Sequence, residues 1–371
     1  MTDFTLKRLG MIMEPRLGDP LEVEGVLNPA AARAPDGTLY LFPRMVAKGN
    51  YSRIGIARVL FDGDGNPNGV ERMGIALEPE AEYELTETGG GCEDPRIVWL
   101  EAFRHYVMTY TAFSRRGPRI AIATSEDLLT WRRVGLASFM PWHGISFDGV
   151  PDKDASIFPT LVPNPSGQPS IGLVHRPLFP GTRPEEKVHR SSSGIVDPDR
   201  ECIWISYCHV NVENGAHAEG VFGTHHKLAQ PTMDWDRLKI GGGPPPIMCR
   251  HGWLLVFHGV HELPQSSPAH PVLCYSAGAI VLSPTHPNRI LHHSSGPLLT
   301  PEGGLELHGM VNNVVFPTGI DRRDDLGTPD RFDVYYGMAD YRIGVARLDV
   351  PPVLTPVSRD PAHVGEAVPI T

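Results

Sequence analysis

Two kinds of charged side chain recur at matched places along this chain. One kind could move a proton, and the other could hold an anion. Carboxylates stand in the phrases Glu93-Asp94-Pro95-Arg96 and Lys153-Asp154-Ala155 and at Asp340. Polar groups also mark other phrases: Arg44 ends TLYLFPR, Tyr110 sits in HYVMTYT, Arg176 ends SIGLVHR, and His258 sits in WLLVFHG. A positioned carboxylate serves general acid or base chemistry, and Lys, Arg and His hold anions through charge-assisted hydrogen bonds. Taken singly, each has a plainer reading. Asp94 suits an Asx turn before Pro95, Arg176 a strand end, Lys153 the surface, and His258 a hydrogen-bonded core position.

What positions these groups is a repeat. One phrase occurs five times: YSRIGIAR (51–58), PRIAIATS (118–125), CIWISYC (202–208), YSAGAIVL (275–282) and YRIGVARL (341–348). Each alternates large apolar with small or polar residues, the period-2 pattern of a strand with one buried face. Upstream of each lies a second phrase that ends in the polar residues above. Upstream again comes an Asn/Asp/Gly/Pro-marked start near residues 28, 94, 153, 243 and 312. The period of roughly 60 to 80 residues is too long for a solenoid coil and suits a propeller blade. We expect an all-β chain folded as one five-bladed β-propeller over residues 1–371. A β-sandwich, or two unrelated β domains, keeps the phrases less well in order. In a propeller the inner strands line a central channel, which gathers Arg44, Asp94, Arg96, Tyr110, Lys153, Asp154, Arg176, His258 and Asp340. A ring of charge around one axis is costly unless it is paired or used.

Composition narrows the classes further. The chain has 371 residues, of which 39 are Gly and 37 Pro, and that punctuation favours short strands over long helices. The formal net charge is −10 and no dense Lys/Arg run appears, so a nucleic-acid partner is not expected. Five cysteines, odd in number and without a CxxC pair, point to free thiols in a reducing cytoplasm. No stretch of about 18 apolar residues occurs, so no membrane partner is expected either. Association into a homo-oligomer is left open.

Several phrases together resemble glycoside hydrolase family 130. They are Gly91-Cys92-Glu93-Asp94-Pro95-Arg96-Ile97, Lys153-Asp154-Ala155 with Ile157-Phe158-Pro159, His175-Arg176-Pro177, Lys239-Ile240-Gly241 with Gly243-Pro244-Pro245-Pro246, and Gly252–Val260. Val314–Pro317 and Tyr335–Asp340 are similar to its last blade. The resemblance runs from about residue 28 to about 347. It implies a five-bladed propeller and inverting phosphorolysis of a β-linked mannoside, with inorganic phosphate as co-substrate and α-mannose 1-phosphate as product. No metal or organic cofactor is expected. Asp94 falls on the family's catalytic acid, thought to act through a sugar hydroxyl. Lys153, Arg176, Lys239 and His258 fall on its phosphate-binding residues, with Tyr275 as a hydroxyl donor. Arg44 falls on a sugar-binding arginine, and Glu93, Arg96, Tyr110, Asp154 and Asp340 are further substrate-side expectations.

The chemistry suits these types. Glycosidic cleavage needs a proton on the leaving oxygen, and an inverting hydrolase adds a second carboxylate to activate water. A phosphorolytic enzyme needs one acid and a set of cations for a dianion. A raised pKa on Asp94, supplied by Glu93 or Asp340, would suit the acid. The nearest alternative is a β-mannosidase of the same family, with Glu87 or Glu219 as base. A non-catalytic carbohydrate-binding propeller is a third reading. Trp99, Trp131, Trp204 and Trp253 read as blade core, and Trp235 as a sugar platform. His225-His226 and His292-His293 read as solvated loop, and 321–331 as an exposed hairpin tip. Segments 139–151, 184–200 and 209–230 look extended relative to the family and bear on which mannoside fits.

Overall fold

The five repeated phrases become the third strand of five blades, the first two of which are joined by a short parallel pairing at Tyr51–Gly90 and Ser52–Gly91. The computed structural model describes residues 3–354 apart from 88, 143, 180–200, 213–216, 219 and 268–270. An N-terminal strand, β1 (Thr5–Met13), precedes the first blade, which is β2 (Gly25–Arg33), β3 (Leu39–Ala47), β4 (Tyr51–Phe61) and β5 (Pro67–Leu77). The second blade is β6 (Gly90–Leu100), β7 (His105–Ser114), β8 (Gly117–Ser125) and β9 (Arg132–Leu136). The third is β10 (Asp152–Ile157), β11 (Pro169–Pro177), β12 (Ile203–Asn211) and β13 (Thr224–Ala229). The fourth is β14 (Lys239–Gly242), β15 (Gly252–Glu262), β16 (Leu273–Leu282) and β17 (Ile290–His293). The fifth uses β18 (Val315–Arg322), β19 (Arg331–Met338) and β20 (Arg342–Asp349), and β1 pairs antiparallel with β20 as its outer strand. The chain is a five-bladed β-propeller whose ring is closed by strands from both halves of the sequence.

Strands expected to bury one face bury both. In β15 nine successive residues, Gly252–Val260, are buried, and in β19 all but Arg331 are. Neighbouring blades pack face to face, so the alternation is one of large against small side chains, not of core against solvent. Trp235 shows the consequence. Its ring lies on Gly259 and Gly278, where a Cβ would meet it at 2.5 and 2.8 Å, so it is a core residue and not a sugar platform. Trp204 and Trp253 are core as expected, whereas Trp99 is 37% exposed and edge-on to Tyr106.

Two loop expectations are also corrected. His225 is buried, and His292 is buried in β17, so neither histidine pair is a solvated loop. In 321–331 the stretch 324–329 carries the exposed residues, while Asp321, Arg323 and Asp330 are buried. Buried Arg323 donates to Asp333 at 2.7 Å and to the Gly65 carbonyl at 2.8 Å, tying the fifth blade to the first. All five cysteines are buried, and none is in a disulfide. No helix among the described residues is long and apolar enough to cross a membrane.

Candidate active site

The innermost strands of three blades carry the same local distortion. In β2, β6 and β10 the register with the next strand slips between Leu27 and Ala30, Glu93 and Arg96, and Lys153 and Ser156. At each slip sits an Asn or Asp in the left-handed region: Asn28 (φ 44°), Asp94 (φ 46°) and Asp154 (φ 56°). A bulge re-aims one side chain, and Asn and Asp tolerate that backbone better than other non-glycine residues. Three polar side chains are thereby turned toward one axis. The fourth blade has a glycine tract instead. A Cβ on Gly241 would lie 2.2 Å from Asp154 Oδ2 and 2.4 Å from the His258 ring, so the crowded centre admits only glycine there.

These residues border one cavity of about 790 Å³ on the axis. Of the twelve expected site residues, nine line it: Arg44, Asp94, Lys153, Asp154, Arg176, Lys239, His258, Tyr275 and Asp340. Glu93 lies behind the wall, where it pairs with Arg44 at 3.0 Å and Lys153 at 3.2 Å. Arg96 lies beneath the floor. It donates to the carbonyls of Asp94 (2.7 Å), Gly243 (3.2 Å) and Gly242 (3.3 Å), so it braces the second blade against the fourth and is not open to a sugar.

Tyr110 is a correction. It is buried in the blade core with its hydroxyl on Glu84 at 2.5 Å. The residue opposite Glu93 is Thr111, just as Arg44 stands opposite Leu27 and Arg176 opposite Lys153. A shift of one residue along a strand turns a side chain to the other face, and that shift separates Tyr110 from the channel. Asn28 and Glu201 also line the cavity and were not among the expected residues. Asn28 was legible in principle, since it holds the repeat position of Asp94 and Asp154. Glu201 had no sequence signal. Glu87 borders a neighbouring cavity, not this one, and Glu219 and segment 184–200 lie outside the described residues.

The charges are arranged in pairs around two carboxylates. Asp94 accepts from Asn28 Nδ2 at 2.9 Å and from Arg44 at 3.4 Å. Burial would raise its pKa, but Arg44, Arg96 and Lys153 outweigh that and hold it below the usual carboxylate range. The expected raised value is therefore not found on Asp94. Asp154 accepts from Arg176 Nε at 2.6 Å, with Arg96 at 3.7 Å. Burial again opposes the charge, and Arg176 with Arg96 keeps Asp154 ionised. Arg176 also donates to Glu201.

Asp340, by contrast, is raised. Burial is the main cause, and the neighbouring Asp94 and Glu93 add to it against Arg44 and Lys153, leaving its pKa at about 6. A carboxyl whose folded pKa exceeds its unfolded value holds more protons in the native state between pH 4 and 6. Its contribution to stability is full below that window and is lost as pH rises through it. Asp340→Asn is therefore expected to be more stable than the parent at pH 7, by up to roughly 3 kcal/mol. The gain should vanish near pH 4. Urea unfolding from pH 4 to 8 measures it, and equal stability at pH 7 would contradict the assignment.

On the fourth blade Lys239 has, among the described residues, no carboxylate within salt-bridge distance; its ammonium lies 5.7 Å from the centre of the Tyr275 ring. His258 is fully buried, and among the described residues neither ring nitrogen has a hydrogen-bond partner. Burial first, then Arg176 and Lys239, push its pKa down to about 3 against the pull of Asp154. His258 is thus a neutral donor and not one of the cations expected there. A buried polar ring with no internal partner costs stability unless a ligand meets it.

Beside the cavity, segment 139–151 is held on the third blade. Phe139 stacks on His175 at 5.1 Å, and His175 bridges Asp152 (2.6 Å) and Ser206 (2.7 Å). Ser206 in turn meets His225, whose other nitrogen reaches the Met140 carbonyl at 3.0 Å. Because Asp152 precedes Lys153 and His175 precedes Arg176, this buried chain fixes the backbone beneath two of the cavity's cations.

Comparison with known proteins places this geometry. The sequence profile described as β-1,4-mannooligosaccharide phosphorylase, of glycoside hydrolase family 130, matches residues 7–164 and 186–359. A 1,2-β-oligomannan phosphorylase of Thermoanaerobacter sp. (strain X514) is 29% identical over 356 residues, 93% of this chain and 97% of the relative. A β-1,4-mannooligosaccharide phosphorylase of Ruminococcus albus is 33% identical over 283 residues, 76% of this chain and 69% of the relative. Among solved structures, the β-1,2-mannobiose phosphorylase of Listeria innocua, in complex with β-1,2-mannobiose, superposes with TM-score 0.65 at 21% identity. It covers 92% of this chain and 96% of its own.

Proposed function

The chain belongs to glycoside hydrolase family 130, and because the relatives it matches are named β-mannoside phosphorylases, we propose that it cleaves a β-linked mannoside with inorganic phosphate. The products are α-mannose 1-phosphate and a mannoside shorter by one unit. The observation that carries this reading is the make-up of the cavity wall. One carboxylate suited to proton transfer, Asp94, shares it with Lys153, Arg176, Lys239 and His258, groups suited to an anion.

The steps follow from that layout. Phosphate displaces water from Lys239, His258 and Arg176, and charge-assisted hydrogen bonds hold its oxygens. Its negative charge offsets the cations that keep Asp94 ionised, so the pKa of Asp94 rises when the nucleophile is in place. Asp94 delivers a proton to the glycosidic oxygen by way of a sugar hydroxyl as the bond to the anomeric carbon breaks. A phosphate oxygen forms its bond to that carbon from the opposite face, which inverts the configuration. The proton carried by hydrogen phosphate restores Asp94, so atoms and charge balance without water. Arg44 and Asp340 border the sugar side, and Arg96 and Glu93 hold the charged groups in register.

The test uses β-1,2- and β-1,4-linked mannosides with and without phosphate, following mannose and mannose 1-phosphate. Mannose 1-phosphate that appears only when phosphate is present is the expected result. Release of free mannose at the same rate without phosphate would replace this reading with hydrolysis. Binding without any turnover would leave a carbohydrate-binding propeller.

A further inference from the structure

The buried polar chain of the third blade can be ordered in only one way. At one end stands the Met140 carbonyl, which only accepts, so the His225 Nε2 that meets it at 3.0 Å carries a proton. Burial first, then His175, pushes the His225 pKa down to about 4, so the ring is neutral and its Nδ1 accepts. The donor to that nitrogen is the Ser206 hydroxyl at 2.7 Å. With its one proton so placed, the Ser206 oxygen accepts from His175 Nε2–H, also at 2.7 Å. His175 Nδ1 and Asp152 Oδ2 remain, 2.6 Å apart. Two bare lone pairs repel at that distance, so one proton lies between them. On either atom it leaves the couple with no net charge.

The couple sits at a bulge. Lys153 pairs with Arg176 and Ser156 with Val174, so Asp154 and Ala155 together stand opposite His175 alone. The same place in the second blade belongs to Tyr110, whose hydroxyl is bound to Glu84, and in the first blade to Pro43. A carboxyl group thus pins the residue behind two of the three bulges. On the third blade the cations Lys153 and Arg176 flank the pin directly, each next in the chain to one of its members. Asp152, His175 and Ser206 are buried, and Phe139 and Phe147 cover the two histidine rings at 5.1 and 4.3 Å.

We propose that His175 and Asp152 are positioning residues for phosphate: the proton they share locks the bulge at Asp154, and with it the placing of Lys153 and Arg176. The inference rests on the phosphorolytic reading of the cavity and adds two residues that touch no substrate and act through its cations. The sugar side, at Arg44 and Asp340, belongs to other blades. Phosphate affinity therefore depends on this lock, and mannoside affinity does not.

The experiment measures KM for phosphate and for mannoside separately, the calorimetric affinity for inorganic phosphate, and the NMR signals of the histidine ring protons. The parent should show a proton resonance far downfield of ordinary imidazole N–H signals, and Asp152→Ala should lack it. Asp152→Ala should also raise the phosphate KM about tenfold, with the mannoside KM within about twofold of the parent. Asp152→Asn puts an N–H donor where the shared proton lies, so its phosphate KM should return to within about threefold of the parent. If Asp152→Ala does not fold, two changes at His175 take its place. His175→Asn keeps the contact to Asp152 and His175→Gln the one to Ser206, and only the second should raise the phosphate KM. Equal rises in both KM values, a phosphate KM that neither Asp152→Ala nor His175→Gln moves, or a parent without the downfield resonance would overturn the proposal. If phosphate binds but no mannoside yields mannose 1-phosphate, the phosphorolytic reading fails alone. Calorimetry then decides this one: phosphate bound about tenfold more weakly by Asp152→Ala supports it, and equal binding overturns it. A parent that binds no phosphate overturns both.

Discussion

Asp94→Asn should lower kcat for mannoside phosphorolysis by at least a hundredfold while leaving mannoside affinity within a fewfold of the parent. A positioned general acid contributes about 10²- to 10⁴-fold, and an amide cannot supply the proton. The substitution is a clean one for structural reasons. Asn is nearly isosteric and tolerates the left-handed backbone at this position, where φ is 46°. Its carbonyl can still accept from Asn28 Nδ2, a bond now 2.9 Å long. What disappears is one negative charge among Arg44, Arg96 and Lys153. Asp340 loses a repelling neighbour in the same change, so its pKa should fall below the present value of about 6. Steady-state kinetics, calorimetry and a pH titration of stability read the three effects separately. Activity within tenfold of the parent would remove Asp94 from the role of acid.

Arg176→Ala should raise the phosphate concentration needed for half-maximal rate by about ten- to a hundredfold, since a hydrogen bond to a charged group is worth about 1.5–3 kcal/mol. It should also destabilise the fold, because Arg176 is the partner of two buried carboxylates, Asp154 and Glu201. Removing one member of a buried ion pair typically costs about 3–5 kcal/mol. Arg176→Lys separates the two consequences. It returns a positive charge to Asp154 but not the planar fork that reaches Glu201 and phosphate together. Stability should recover in large part, and phosphate affinity only in small part. The measurements are denaturant unfolding and initial rates against phosphate concentration. An unchanged phosphate requirement in Arg176→Ala would show that the anion sits elsewhere in the cavity.

Much of this protein was readable from the order of its phrases. Five repeats of one strand fix the number of blades, because each repeat is one supersecondary unit that must pack against the next. Asp94, Lys153, Arg176, His258 and Asp340 stand at corresponding points of those repeats, and a closed ring brings corresponding points to one axis. Their meeting is thus a consequence of periodicity, which is a property of sequence. Periodicity does not resolve a shift of one residue, which is why Tyr110 and Thr111 exchanged places. Nor does it show what packs on an aromatic ring, so Trp235 could be read as open to a sugar although two glycines lie beneath it.

The sequence by itself determined the all-β repeat, the residue types that meet at the hub and the kind of chemistry those types allow. Tertiary structure alone decided which of them are ionised and which are partnered. Asp94 is held low and Asp340 is raised, His258 is neutral, and Glu201 stands behind Arg176. The reason is physical: a pKa and a pairing depend on distances of a few ångströms between groups from different blades and on how much water remains around them. Neither quantity is local in the chain.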